Sequence, residues 1–203
     1  MEQYLQEHYE ANYESESPIR LLNFERENLP ELFKHLGFRR GAEIGVAAGA
    51  NSILYCREIP NLELICVDAW IPFQTYRSGR PQTKRLMNHE NNYKLAKQLL
   101  ADYNVTFMVM DSMEAVKQIP ENFLDFVYID ANHYYKYVMN DLIEWSKRVR
   151  PGGIVAGHDY LMARSIDVEM AVNEYTKKNE IKRWFITPTG IKFKQASYFW
   201  MKK

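Results

Sequence analysis

The chain has 203 residues, enough for one α/β domain with a core that folds by itself. Its 26 lysines and arginines balance 26 aspartates and glutamates, so no global field draws it to nucleic acid or to a membrane surface. Two cysteines, Cys56 and Cys66, exclude a disulfide framework or a zinc cluster, and no apolar run approaches the roughly 18–20 residues of a membrane span.

The opening segment, up to about Pro18, is acidic and polar with scattered tyrosines, and reads as a docking helix or a partly disordered arm. It lacks the basic and apolar regions of a signal peptide, which makes a cytoplasmic location the default. Residues 1–22 are taken as this arm and 23–203 as one domain. From Asn23 to Leu36 the spacing of Leu29, Leu32, Phe33 and Leu36 is helical, with Pro30 in the first turn. A strict alternation follows: strand Ala42–Val46, helix Asn51–Glu58, strand Leu62–Val67, helix Thr83–Tyr103, strand Val105–Met110. Next come a helix Ser112–Ile119 capped by Ser112, a strand Phe123–Ile129, a helix Tyr134–Arg150 broken by Pro151-Gly152-Gly153, and a strand Gly153–Gly157. A helix from about Ser165 to Lys178 leads to a strand Ile181–Thr187, a turn Pro188-Thr189-Gly190 and a last strand Ile191–Met201.

This order predicts an α/β fold: a Rossmann-like, doubly wound, mostly parallel sheet covered on both faces, with a C-terminal antiparallel hairpin strand. Ligands of such sheets bind at the carboxyl ends of the strands. There the chain places Gly41-Ala-Glu43-Ile-Gly45-Val-Ala47-Ala-Gly49-Ala-Asn-Ser52, a loop almost free of side chains that lets a ligand approach the backbone. Glu43 beside the loop suits a cofactor bearing an ammonium and a sulfonium and would repel a pyrophosphate. Asp68 ends the second strand, at the distance where an acid meets ribose hydroxyls, and Asp111 ends the third, where it can accept from an exocyclic amine. Any one of these acids alone reads as a helix cap or a surface charge; three at consecutive strand ends read as a site.

Glu43-x-Gly45-x-x-x-Gly49, Asp68 and Asp111-Ser112 resemble, in order and spacing, the cofactor motifs of class I S-adenosylmethionine-dependent methyltransferases. The resemblance covers roughly Leu36 to the C-terminus, and a parallel sheet finished by an antiparallel hairpin is that family's type of fold. It implies S-adenosyl-L-methionine as cofactor, with Glu43, Gly45 and Gly49 around the methionine part and Ser52 near its carboxylate. Asp68 would take the ribose hydroxyls with Trp70 flanking, and Asp111 and Ser112 would hold the adenine. Ala47 stands where many relatives carry a glycine. A nicotinamide-dependent oxidoreductase would want Gly-x-Gly-x-x-Gly, which Gly45-Val-Ala-Ala-Gly49 does not provide.

Methyl transfer from a sulfonium needs alignment, exclusion of water and, for an alcohol, removal of a proton. Asp130 and His133 lie just beyond the fourth strand, and His158 and Asp159 end the fifth; adjacent strands bring all four together. This part resembles the catechol and macrocin O-methyltransferase branches, in which acids at these strand ends hold a divalent cation. The resemblance implies Asp130 and Asp159 as ligands of magnesium, manganese or another metal, with His158 where the macrocin-type branch has an additional acid. Tyr160 departs from the asparagine of the catechol branch. A metal-free alternative makes His133 or His158 a general base oriented by a neighbouring aspartate.

The expected activity is O-methylation of a small hydroxylated or sugar-like acceptor. The alternatives are a non-catalytic scaffold with this fold and, less favoured by the neutral charge, an RNA-modifying methyltransferase. The basic, aromatic-bearing stretch around Arg77–Arg85 reads as a lid for an anionic acceptor or as a solvated loop. The acidic arm and the aromatic last strand each offer a surface for a homodimer.

Overall fold

The strand Leu124–Ile129 is buried along almost its whole length, and its alternation decides the layering of the molecule. Phe126 and Tyr128 face one apolar layer, Val127 and Ile129 the other, because successive side chains of a strand point to opposite faces. The computed structural model describes residues 1–71, 83–161, 166–187 and 196–203; in the helix that begins at Thr83, side chains are described from residue 89.

In chain order the elements are α1 (Glu2–Tyr9), β1 (Ile19–Arg20), α2 (Leu29–His35), β2 (Arg40–Ile44), α3 (Ser52–Glu58), β3 (Glu63–Asp68), α4 (Thr83–Leu99) and β4 (Val105–Val109). They continue with α5 (Ser112–Ala115), β5 (Leu124–Ile129), α6 (Tyr135–Arg148), β6 (Val149–Tyr160), α7 (Asp167–Lys178), β7 (Phe185–Ile186) and β8 (Ala196–Met201). One eight-stranded sheet has the order β1-β7-β8-β6-β5-β2-β3-β4. The pairs from β6 through β4 are parallel, while β8 runs antiparallel to both β6 and β7. The antiparallel finish expected from the C-terminal sequence is therefore present; its turn, residues 188–190, and the beginning of the last strand lie outside the described residues.

One apolar layer holds Leu5, Leu32, Phe33, Tyr55 and Ala96 from α1 to α4, and the other holds Ala115, Leu142, Trp145 and Val172 from α5 to α7. The N-terminal residues join the first layer. Tyr4 and Leu5 of α1 are buried, and Ile19 and Leu21 donate backbone N–H groups to Trp184 and Ile186. The short edge strand β1 had no signal in the sequence: two residues are too few to show a period.

Several element bounds differ from the sequence expectation. The first domain helix starts at Leu29 rather than Asn23. Residues 26–28 form a tight 3₁₀ turn, with the Asn28 side chain accepting the Glu25 N–H at 2.8 Å, and Pro30 then occupies the first helical turn. The cap of α5 is Asp111, which accepts from Met113 N at 2.8 Å, and not Ser112. β6 begins at Val149, before Pro151-Gly152-Gly153, and the pairing with β5 shifts register there. The strand expected over Ile181–Thr187 narrows to Phe185–Ile186. Among the described residues no helix is long and apolar enough to cross a membrane.

Candidate active site

The loop after β2 bends sharply because Gly45 adopts φ 90° beside the end of β5. A side chain at Gly45 would overlap the Asp130 carbonyl oxygen, so the two strand ends meet only where the residue is glycine. Gly49, at φ 81°, donates its N–H to Val46 O and closes the turn. Ala47 takes a left-handed φ of 48°.

Asp68, at the end of β3, holds this loop in place. Its Oδ2 accepts the N–H groups of Val46 and Ala47 at 3.0 and 2.9 Å, and its Oδ1 accepts Trp70 N at 2.7 Å. Trp70 is buried, donates its indole N–H to Ala47 O and packs on Tyr93. Glu43 lies behind the loop, 2% exposed. Asn51 Nδ2 donates to it at 3.0 Å, and so does the Ser52 hydroxyl. Burial raises the Glu43 carboxyl to about 7 against these two hydrogen bonds, which lower it.

A cavity of about 610 Å³ opens over the loop, within the range of small-molecule sites. Of the expected cofactor residues, Glu43, Gly45, Ala47, Asp68, Asp111 and Ser112 line it; Gly49, Ser52 and Trp70 stand behind and support it. Ser52 is fully buried with its hydroxyl on Glu43. The wall also includes Arg26, Asn51 and Asp141, which sequence reasoning did not single out. Asn51 lies within the glycine segment, but Arg26 and Asp141 carry no strand-end signature. The basic stretch Arg77–Arg85 lies outside the described residues, apart from the backbone of its last three, which open α4.

At the ends of β5 and β6 the four expected groups gather. His133 Nε2 lies 2.8 Å from Asp159 Oδ2 and 3.5 Å from Asp130 Oδ1. His158 Nδ1 lies 3.3 Å from Asp159 Oδ1 and 3.9 Å from Asp130 Oδ2. Asp130 and His133 line the cavity, whereas Asp159, 5% exposed, and His158 sit behind them. Hydrogen bonds to Asp130 and then Asp159 push His133 up to about 10. Burial works to raise Asp159, but hydrogen bonds from His133 and His158 prevail and hold it below the usual carboxylate range. One donor atom each from Asp130, His133 and Asp159 lies within 4.8 Å of the others. His133 thus completes the set in which His158 was expected. The Tyr160 hydroxyl turns away to Asn173 at 3.0 Å.

No curated protein sequence matches the chain. Among solved structures it is similar to the O-methyltransferase TomG of Streptomyces achromogenes, with a TM-score of 0.65 and 16% identity over 88% of this chain and 79% of that one. An O-methyltransferase from Bacillus cereus gives a TM-score of 0.63 and 16% identity over 98% and 96% of the two chains. The O-methyltransferase NovP gives 0.60 and 19% over 88% and 78%. These likenesses establish the fold. The family model described as a methyltransferase domain matches residues 42–160, the span from β2 to the end of β6 that supplies the cavity lining except Arg26. The chain belongs to this methyltransferase-domain family.

Proposed function

We propose that the chain methylates a hydroxyl oxygen of a small hydroxylated or sugar-like acceptor, and that the cluster of Asp130, His133, His158 and Asp159 prepares that hydroxyl. The carrying observation is the convergence of two carboxylates on His133 at the rim of the cofactor cavity. Such a cluster has no use in holding the cofactor's ribose or adenine, and it answers the need of an alcohol nucleophile to lose its proton. The structural neighbours TomG, the Bacillus cereus protein and NovP are O-methyltransferases, which favours the same atom.

When bound, S-adenosylmethionine supplies an electrophilic methyl group on a cationic sulfur. Glu43 would face the methionine end with its buried carboxyl, Asp68, which holds the loop amides, would offer its remaining lone pairs to the ribose, and Met110–Met113 would border the purine. Alignment by these groups is the larger share of catalysis for an in-line displacement. The donor chemistry of Asp130, His133 and Asp159 fits a divalent cation, two hard carboxylates with one imidazole suiting magnesium, manganese, iron or zinc. These three residues would hold it, and it would lower the pKa of an acceptor hydroxyl. The second reading is metal-free: His158, 3.3 Å from Asp159, is oriented by it as general base.

The test is turnover of a panel of hydroxylated acceptors, vicinal diols and sugars included, with added manganese or with chelator. Activity that requires metal and fails in Asp159→Ala supports the first reading; activity indifferent to chelator and lost in His158→Ala supports the second. Transfer confined to nitrogen or carbon acceptors overturns the O-methylation reading.

A further inference from the structure

The cavity ends, on the side formed by Met110–Met113 and α6, at a carboxyl group that the cofactor motifs leave unexplained. Asp141, in the second turn of α6, lines the cavity and is 4% exposed. The Ser112 hydroxyl donates to its Oδ1, and the network fixes that direction. Ser112 Oγ accepts the Trp145 indole N–H at 2.9 Å, a group that only donates, which leaves the Ser112 proton for Asp141. Among the described residues Oδ2 has no hydrogen-bond partner. Oδ2 is not among the fully buried oxygens and is open to the cavity that Asp141 lines, and burial of the side chain, with the charge of Asp111 adding to it, raises Asp141 to about 7. An N–H donor from a ligand would pair that oxygen.

We propose that Asp141 is the purine-specificity residue of this methyltransferase, its Oδ2 accepting the exocyclic amine of adenine and so selecting a 6-amino over a 6-oxo purine. The inference rests on the placement of the adenosyl group along Asp68 and Met110–Met113 proposed above. A 6-oxo purine would turn a carbonyl oxygen toward Oδ2, two acceptors with no proton between them, the kind of mismatch that discriminates strongly in a closed site. Asp111 borders the same end of the cavity and is the competing acceptor; it is exposed, and its Oδ1 is engaged by Met113 N at 2.8 Å.

The experiment is calorimetric titration of the full chain with S-adenosylhomocysteine and with its 6-oxo counterpart, S-inosylhomocysteine, for wild type and Asp141→Asn. It is run at about pH 8, where Asp141 is mostly ionised. Asparagine keeps the Oδ1 acceptor for Ser112 and turns an N–H donor into the cavity. Wild type is expected to favour the adenosyl ligand by about tenfold or more, and Asp141→Asn to lose or invert that preference. Equal wild-type affinities overturn the proposal and leave the cofactor reading intact. A variant that keeps the wild-type ratio assigns the amine to Asp111 and overturns it as well. Wild type that binds neither ligand removes the adenosyl placement and the proposal together. If Asp141→Asn does not fold, Asp141→Ser replaces it, with collapse of the ratio expected and a preserved ratio decisive against.

Discussion

Trp70 donates its indole N–H to the carbonyl of Ala47 at 2.8 Å, and both residues hold left-handed backbone angles, φ 46° and φ 48°. The glycine loop is thus pinned from outside the cavity by a residue that does not touch it. Trp70→Phe keeps most of the ring and removes the donor, worth about 1 kcal/mol. Cofactor affinity is expected to fall about fivefold with little change in far-ultraviolet circular dichroism. Unchanged affinity by calorimetry would show that the pin is idle.

Ala47 and Gly45 face different constraints. A left-handed residue costs about 1–2 kcal/mol and is worst for β-branched side chains. Ala47→Val should therefore lower thermal stability by about 2 kcal/mol and abolish cofactor binding, whereas Ala47→Gly should bind as wild type. Gly45→Ala drives a methyl into the Asp130 carbonyl oxygen and should cost about 3 kcal/mol or more. Chemical denaturation of the three variants ranks them; a Gly45→Ala protein as stable as wild type would contradict the close approach of β2 and β5.

Glu43 makes the unliganded protein lose stability as pH rises. Its carboxyl ionises near 4.5 in the unfolded chain and near 7 in the folded one, so the stabilising difference is complete below the lower value and gone above the upper. The span is worth on the order of 3 kcal/mol. Asp141, raised to about 7 by burial, acts with the same sign. Glu43→Gln should flatten the decline in Tm between about pH 5 and pH 8 without abolishing it. A variant whose Tm falls as steeply as wild type would place the effect elsewhere.

Asp159 braces the cluster at the ends of β5 and β6 from behind the cavity. It engages His133 and His158 at 2.8 and 3.3 Å but does not line the cavity. In Asp159→Ala, manganese affinity measured by calorimetry should fall about 10- to 100-fold, with S-adenosylhomocysteine affinity unchanged. Loss of both together would mean that Asp159 supports the fold rather than the cluster.

The sequence by itself determined the alternating elements, the parallel sheet with its antiparallel finish and the residues at the strand ends, since Glu43, Asp68, Asp111, Asp130 and Asp159 all terminate recognisable strands. Period and position suffice for such residues, because a strand end in this topology has one address. Tertiary structure decided the rest. That Trp70 and Ser52 stand behind the cavity, that His133 and not His158 closes the three-donor set, and that Asp111 rather than Ser112 caps α5 depend on where side chains turn after the backbone is placed. Asp141 was hidden for the same reason: within an amphipathic helix its spacing is that of any half-turned polar residue. Only the packing of α6 against Ser112 and Trp145 turns it inward, where burial gives a carboxyl its chemistry.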